Sequence, residues 1–443
     1  MSYWIAIACT VGVEIYVLRR LRFGWLMVAT VLLGTLVSMD YLAYTSISER
    51  NCDAPSHVLY IDAIAEHLRL PPVSVFCTAC GHPPFYYALA ALWSKTVLAG
   101  GWLPRDMGLQ WLSLLLFFGF VVFSLLLLRS TIERPVTMWL AAALVVFWPS
   151  SIINSVRVHN DALASPLMIA AMYFIAQWDR EGQERDFHLA LVASALALLT
   201  KATGYAMAAT LLAVAALRLR ATKRKRERAK QLVAATLVLF AAALLPIVLR
   251  KSMPPHTLCQ RVLGRACDVP SDYFVSNKPI NYLYFDVRSF LSPTSVSANP
   301  PQQDYFWNGL AKSSLFGVLP LGKDFAGELH RRLAVFISSL LLAMVALCGI
   351  VLPSVRAVRW QRYRAVVAAA ASLLVLLVGL RFIVPTPFHE DFRHIFPVLV
   401  PLCLLYAKVV ERLRRWSAVA HKVGIAIGLL MMASSVAFFV RVP

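Results

Sequence analysis

The chain has 443 residues, 59% of them hydrophobic and only 15% charged, and its mean hydropathy is +0.66. A chain this apolar, laid out in runs of roughly 17 to 22 residues, is a polytopic membrane protein, which excludes the soluble classes. Its net charge of +20 does not point to nucleic acid, because the basic residues fall in short clusters between apolar runs, the pattern that holds Lys and Arg on the cytoplasmic side of a membrane.

In chain order, residues 4–18 form a short apolar segment that carries Glu14 and is followed by Arg19, Arg20 and Arg22. It reads as a marginal span or an interfacial helix, since the charge lies on the wrong side of it for a secretory signal. Residues 23–44 are a span. With the arginines in the cytoplasm that span emerges outside, so the polar loop 46–83 is extracytoplasmic. Residues 85–98, aromatic at one end and interrupted by Lys95, predict a helix lying along the outer interface. Spans follow at 107–128, 136–153 and 163–178, then at 187–199, 205–217 and 232–249. The basic run RLRATKRKRERAK at 218–230 marks the cytoplasm and suits lipid headgroups. A second large outer loop covers 250–331, and spans near 333–353, 365–384, 395–410 and 423–440 alternate with basic clusters. The fold class expected is therefore an all-α polytopic membrane protein with about eleven or twelve transmembrane helices and two large extracytoplasmic loops. No internal repeat is evident, so 1–443 reads as one transmembrane domain, with the first outer loop and its interfacial helix at 46–106 and the second outer loop at 250–331.

Cysteines test that topology, because disulfides form outside the cytoplasm. Cys52, Cys77, Cys80, Cys259 and Cys267 all fall in the two outer loops. Cys259 with Cys267 is a plausible closure, and Cys52 could pair with Cys77 or Cys80. The C-x-x-C at 77–80 has no second ligand pair or thioredoxin-like context to make it a zinc or redox motif.

The chemistry concentrates in the first outer loop, where Asp53, His57, Asp62, Glu66, His67 and His82 lie within about thirty residues, a density that membrane chains carry where they meet water or do chemistry. If residues 53–69 are helical, Asp53, His57 and Tyr60 share one face while Asp62, Glu66 and Arg69 share the other. Asp53 can be a helix N-cap, with Pro55 in the first turn, and a catalytic carboxylate at once. His82 before Pro83 and Pro84 fixes how the chain runs into the interfacial helix.

DAPSHVLYIDAIAEHLRLP followed by HPPFYYALAAL resembles the first outer loop of the integral-membrane glycosyltransferases of the GT-C fold, the superfamily of protein mannosyltransferases, aminoarabinose transferases and arabinofuranosyltransferases. VRVHNDALA at 156–164 resembles the family's second acidic turn, LLTKATGY at 198–205 its lysine turn, and FRHIFPVLVPLCLL at 392–405 the Arg-containing start of a late span. The resemblance implies sugar transfer from a polyprenyl-phosphate-linked donor, with the first-loop acid as general base. Where many relatives carry two adjacent acids this chain has Asp53-Ala54, which puts a divalent metal held by a paired acid in doubt and leaves the metal unknown.

Physics leads to the same place. A site on the outer face cannot reach cytoplasmic nucleotide sugars, so the sugar arrives on a lipid phosphate. Transfer then needs a base at the nucleophile and cations at the leaving phosphate. Asp53 is the expected base, assisted by His57 or Asp161, although Asp161 could be only a helix cap. Arg157, Lys201 and Arg393 are the expected phosphate ligands, the alternative for each being a side chain snorkelling to the headgroups. Tyr60, His82 and Tyr86 are further substrate-binding candidates. Tyr305 and Trp307, in the aromatic second loop, suit either sugar stacking or an interfacial belt. The expected partners are the bilayer, the lipid-linked donor and a glycan, lipid or protein acceptor, and the expected location is a bacterial inner membrane with the site facing the periplasm. A transporter or flippase, or an O-antigen-type ligase or polymerase, is the competing reading. Against a transporter, the informative carboxylates lie in a loop and at helix ends, away from mid-bilayer.

Overall fold

The computed structural model describes residues 2–50, 53–72, 77, 79–221, 225–249, 275–292, 305–317, 325, 327–354 and 360–440. The described elements are helical throughout. They comprise α1 (Ser2–Arg20), α2 (Trp25–Tyr44), α3 (Ala54–His67), α4 (Phe85–Thr96), α5 (Arg105–Thr131), α6 (Pro135–Phe147), α7 (Pro149–Ser155), α8 (Asp161–Glu181), α9 (Glu184–Thr200), α10 (Tyr205–Ala221), α11 (Lys225–Leu249), α12 (Phe306–Phe316), α13 (Glu328–Val351), α14 (Trp360–Ile383), α15 (Leu399–Leu413) and α16 (Ala418–Phe439). Eight described helical segments are long and apolar enough to cross a membrane, and a ninth if α6 and α7, bent by 54°, form one broken span. The difference from eleven or twelve lies in α1, α8 and α9, which are long helices diluted by charge or cut short. The break between α6 and α7 follows from Pro149, which pushes Trp148 into extended backbone (φ −62°, ψ 134°).

One continuous apolar core joins α2, α5, α6, α8, α9, α10, α14 and α15. Arginines lace one end of it. Arg129 donates to the Leu21 carbonyl at 2.7 Å, Arg180 to the Ser130 carbonyl at 2.5 Å, and Arg364 pairs with buried Asp179 at 2.6 Å. The other end receives α3, α4, α7 and α12 and the turns at Lys201 and at 387–398, where Asp53, Asp161, Lys201 and Arg393 meet.

A smaller core under the first loop holds Tyr60, Cys77, Cys80, Tyr86, Tyr87 and Val158. Here the cysteine expectation is corrected: Cys77 bonds to Cys80, with Cα atoms 5.3 Å apart, so neither pairs with Cys52. Beside the bridge, the Ala79 N–H donates to Ser56 Oγ at 2.6 Å, which fixes the 79–81 turn on α3. Cys52, Cys259 and Cys267 lie outside the described residues, as does most of the 250–331 loop.

Candidate active site

Asp53 precedes α3 with helical backbone (φ −82°, ψ −6°), and its side chain makes no capping hydrogen bond. The cap role expected for it is therefore not what holds it. Its Oδ2 instead accepts from Arg393 Nη2 at 3.2 Å, and Arg393 Nε stands 2.9 Å from Asp391 Oδ2. Asp391 also receives the Arg393 backbone N–H at 3.0 Å, so the turn that carries the arginine orients it too. His57 and Tyr60 are buried with Asp53's face, while Asp62 on the other side pairs with partly exposed Arg105.

The second half of the cluster is built at the turns that open α8 and close α9. Asp161 begins α8 and Lys201 ends α9, and Lys201 Nζ lies 2.5 Å from Asp161 Oδ1 and 3.0 Å from His394 Nδ1. Both side chains are buried, at 7% and 5% exposure, so Lys201 does not snorkel and Asp161 does more than cap. Burial lowers the Lys201 pKa, opposed by the Asp161 carboxylate. Asn160 ties the same turns together by donating to the Thr200 carbonyl at 3.3 Å. Arg157 is also buried, reaching Asn154 Oδ1 at 3.5 Å. Gly317 closes α12 at φ +75°, a conformation that favours glycine, and a Cβ there would stand 3.2 Å from Arg157 Nη2.

Two histidines of the cluster, His57 and His159, are held neutral by burial. His57 Nδ1 shares a hydrogen bond with the Tyr87 hydroxyl at 2.9 Å, and its ring stacks on His82 with centroids 6.2 Å apart. Burial, and next the neighbouring His159, pushes the His57 pKa down to about 3. Burial, then the charges of Arg157, Arg393 and Lys201, pushes His159 well below its ordinary value. Tyr60 stacks on Tyr87 at 3.8 Å and donates to the His82 carbonyl at 3.3 Å, so Tyr60 and His82 support His57 from behind.

Tyr86 is turned away. It is fully buried towards Ser113 of α5, and its neighbour Tyr87 takes the position beside His57. Tyr305 packs edge-on to Tyr284 at 4.6 Å, and Trp307 donates to the Tyr282 carbonyl at 2.7 Å. Both pack within the second loop, apart from the carboxylate and cation cluster. The helix they begin does reach the cluster through Ser313, whose Oγ donates to the Glu390 carbonyl and accepts the Phe392 N–H, both at 2.9 Å.

Sequence reading missed Tyr87, His159, Asp391, His394 and the buried pair of Arg381 with Glu390, in which Nε stands 2.8 Å from Oε1. An arginine inside the apolar run 365–384 was a visible signal for the last, since charge within a span needs a partner. Among the described residues no three His, Cys, Asp or Glu side chains converge as metal ligands. Asp53 in the first loop and Asp161 in the second acidic turn each stand against a cation, Arg393 and Lys201.

Residues 59–250 match the model of the dolichyl-phosphate-mannose-protein mannosyltransferase family. That stretch includes Asp161 and Lys201 and leaves out Asp53 and Arg393. No curated protein matches the chain. Among solved structures, the crystal structure of ArnT from Cupriavidus metallidurans bound to undecaprenyl phosphate is similar over 93% of this chain and 77% of that one, at 14% identity and a TM-score of 0.38. The matched stretch covers less than half of the chain, and the family its model describes belongs to the superfamily that the motifs resemble.

Proposed function

We propose that this protein transfers a sugar from a polyprenyl-phosphate donor to an acceptor at the non-cytoplasmic face of the membrane, with Asp53 as general base. The observation that carries the reading is the convergence, at one end of the bundle, of Asp53 with Arg393 and of Asp161 with buried Lys201, groups drawn from four separate parts of the chain. Charges such as Lys201 and Asp161 are buried together only where a ligand or a reaction uses them or where they fix a fold, and the matched family uses a lipid phosphate.

In the reaction the sugar C1–O bond to the carrier phosphate breaks and a bond from C1 to the acceptor oxygen or nitrogen forms. The acceptor proton passes to the Asp53 carboxylate, and the electron pair of the broken bond stays on the phosphate. Arg393, Lys201 and Arg157 stabilise that developing charge. The donor phosphate competes with Asp53 for Arg393, so donor binding releases the carboxylate to act as base. The acceptor is a cell-envelope glycolipid, polysaccharide or protein, and no step requires a metal.

The test is Asp53→Asn at matched expression, read as glycosylated product in the envelope by mass spectrometry. Asn keeps the shape and removes the proton acceptor, so turnover should fall by about a hundredfold or more with insertion intact. Asp62→Asn, on the opposite face, should leave product nearly unchanged. A fully active Asp53→Asn protein would remove the base.

A further inference from the structure

His159 sits in the H-N-D turn before α8, 1% exposed, and the reaction above gives it no task. Its Nδ1 accepts the Ala162 backbone N–H at 3.1 Å, a hydrogen that also reaches the His159 carbonyl at 3.1 Å. An Nδ1 that accepts carries no proton, so the neutral ring carries its proton on Nε2. That Nε2 is buried and, among the described residues, has no hydrogen-bond partner. A buried donor left without an acceptor costs free energy, so such a group is satisfied by something the chain alone does not supply.

The surroundings say what. His159 lines a small cavity between α5 and α8 whose free space of about 10 Å³ is enough for one water or one ligand oxygen. Its polar end is formed by Asn154, His159, Asp161 and Arg393, and its other walls by Phe117, Phe120 and Phe396. The groups facing His159 are the cations Arg157, Arg393 and Lys201, the carboxylate of Asp161 and the neutral ring of His57. Three cations beside one neutral N–H favour an anionic oxygen as the missing acceptor.

We propose that His159 binds the donor, presenting its Nε2–H as a neutral hydrogen-bond donor to a phosphate oxygen of the polyprenyl carrier. The inference rests on the proposed function and adds a fourth, uncharged ligand to the three cations. A neutral donor among cations binds the phosphate without adding to their mutual repulsion, and it holds the same oxygen before and after the C1–O bond breaks.

Two amide substitutions separate this role from a structural one. His159→Asn keeps an oxygen near the Nδ1 position, where it can accept the Ala162 N–H at the start of α8, but withdraws the distal donor. His159→Gln carries its amide N–H out to the Nε2 position and leaves the cap imperfect. Binding of sugar-free undecaprenyl phosphate to the full-length protein in lipid nanodiscs is measured for both, with KM and kcat for the loaded donor. His159→Gln should bind within about twofold of wild type, and His159→Asn should bind roughly tenfold more weakly, the loss expected for one hydrogen bond to a charged group. The ratio of wild-type to His159→Asn binding should stay flat between about pH 6 and pH 8, since the ring is neutral throughout. Equal binding by wild type and His159→Asn overturns the inference, as does a ratio that follows protonation. Asn binding well where Gln fails would make His159 a helix cap only. If Asn keeps its affinity for the sugar-free carrier but loses it for the loaded donor, the acceptor is a sugar hydroxyl and the phosphate assignment is overturned. Wild-type protein that binds no polyprenyl phosphate at all would overturn the proposed function itself.

Discussion

Replacing Lys201 with Met removes one half of an ion pair whose two side chains are 7% and 5% exposed and whose charged atoms lie 2.5 Å apart. The methionine fills most of the lysine's volume, so the cost is electrostatic: Asp161 is left as a carboxylate out of water, and breaking such a pair from one side costs about 3–5 kcal/mol. The same substitution takes away the contact to His394 Nδ1, 3.0 Å from the ammonium. Removing Asp161 as well, in Lys201→Met with Asp161→Asn, abolishes the stranded charge and should recover more than half of that loss, roughly 1.5–3 kcal/mol. Activity should not recover with it, because the cation proposed to bind the donor phosphate is gone in both variants. The assay is thermal inactivation of the four members of the cycle in lipid nanodiscs, with product formation measured in parallel. A double variant no more stable than Lys201→Met would refute the reasoning, since the destabilisation would then not come from the unpaired carboxylate.

Three further outcomes are expected. His57 has its pKa depressed to about 3 from an ordinary 6.5, so the stability gained by burying it neutral is fully present above 6.5 and is lost as pH falls from 6.5 towards 3. His57→Phe should flatten the acid limb of a stability-against-pH curve over that window, and an unchanged limb would place the acid sensitivity elsewhere. Cys77→Ser with Cys80→Ser should lower stability by about 2 kcal/mol through loss of a short closed loop, and peptide mapping without reduction should recover the Cys77–Cys80 bridge from wild type. Gly309→Ala puts a methyl group into the carboxylate of Glu390, which is already bound to fully buried Arg381, and should cost on the order of 1–3 kcal/mol while displacing the 391–394 turn. Stability and product should fall together in that variant, and a neutral effect on both would mean that α12 yields easily.

The sequence by itself determined the class, most of the spans and the polar ends of the cluster. Apolar runs long enough to cross a bilayer are visible one at a time, and the basic clusters orient them, because both signals are local. Asp53, His57, Arg157, Asp161, Lys201 and Arg393 were likewise legible as charge and imidazole at the ends of apolar runs, where a membrane chain carries them at a cost. Helical periodicity even assigned Asp53 and Asp62 to opposite faces. What periodicity could not decide is partnership across the chain. Arg393 reaches Asp53 over 340 residues and Lys201 meets His394 over 193, and nothing short-range encodes either contact. The same limit explains the errors. Tyr86 and Tyr87 are adjacent and alike in composition, and only the packing of α4 against α3 and α5 turns Tyr87 towards His57 and Tyr86 away from it. Cys77 closes on Cys80 because the turn at 79–81 is held to Ser56, a tertiary contact that cysteine spacing does not reveal. His159 stood in the quoted 156–164 turn, but its role was not legible there, since an orphaned Nε2 exists only once the fold has buried it.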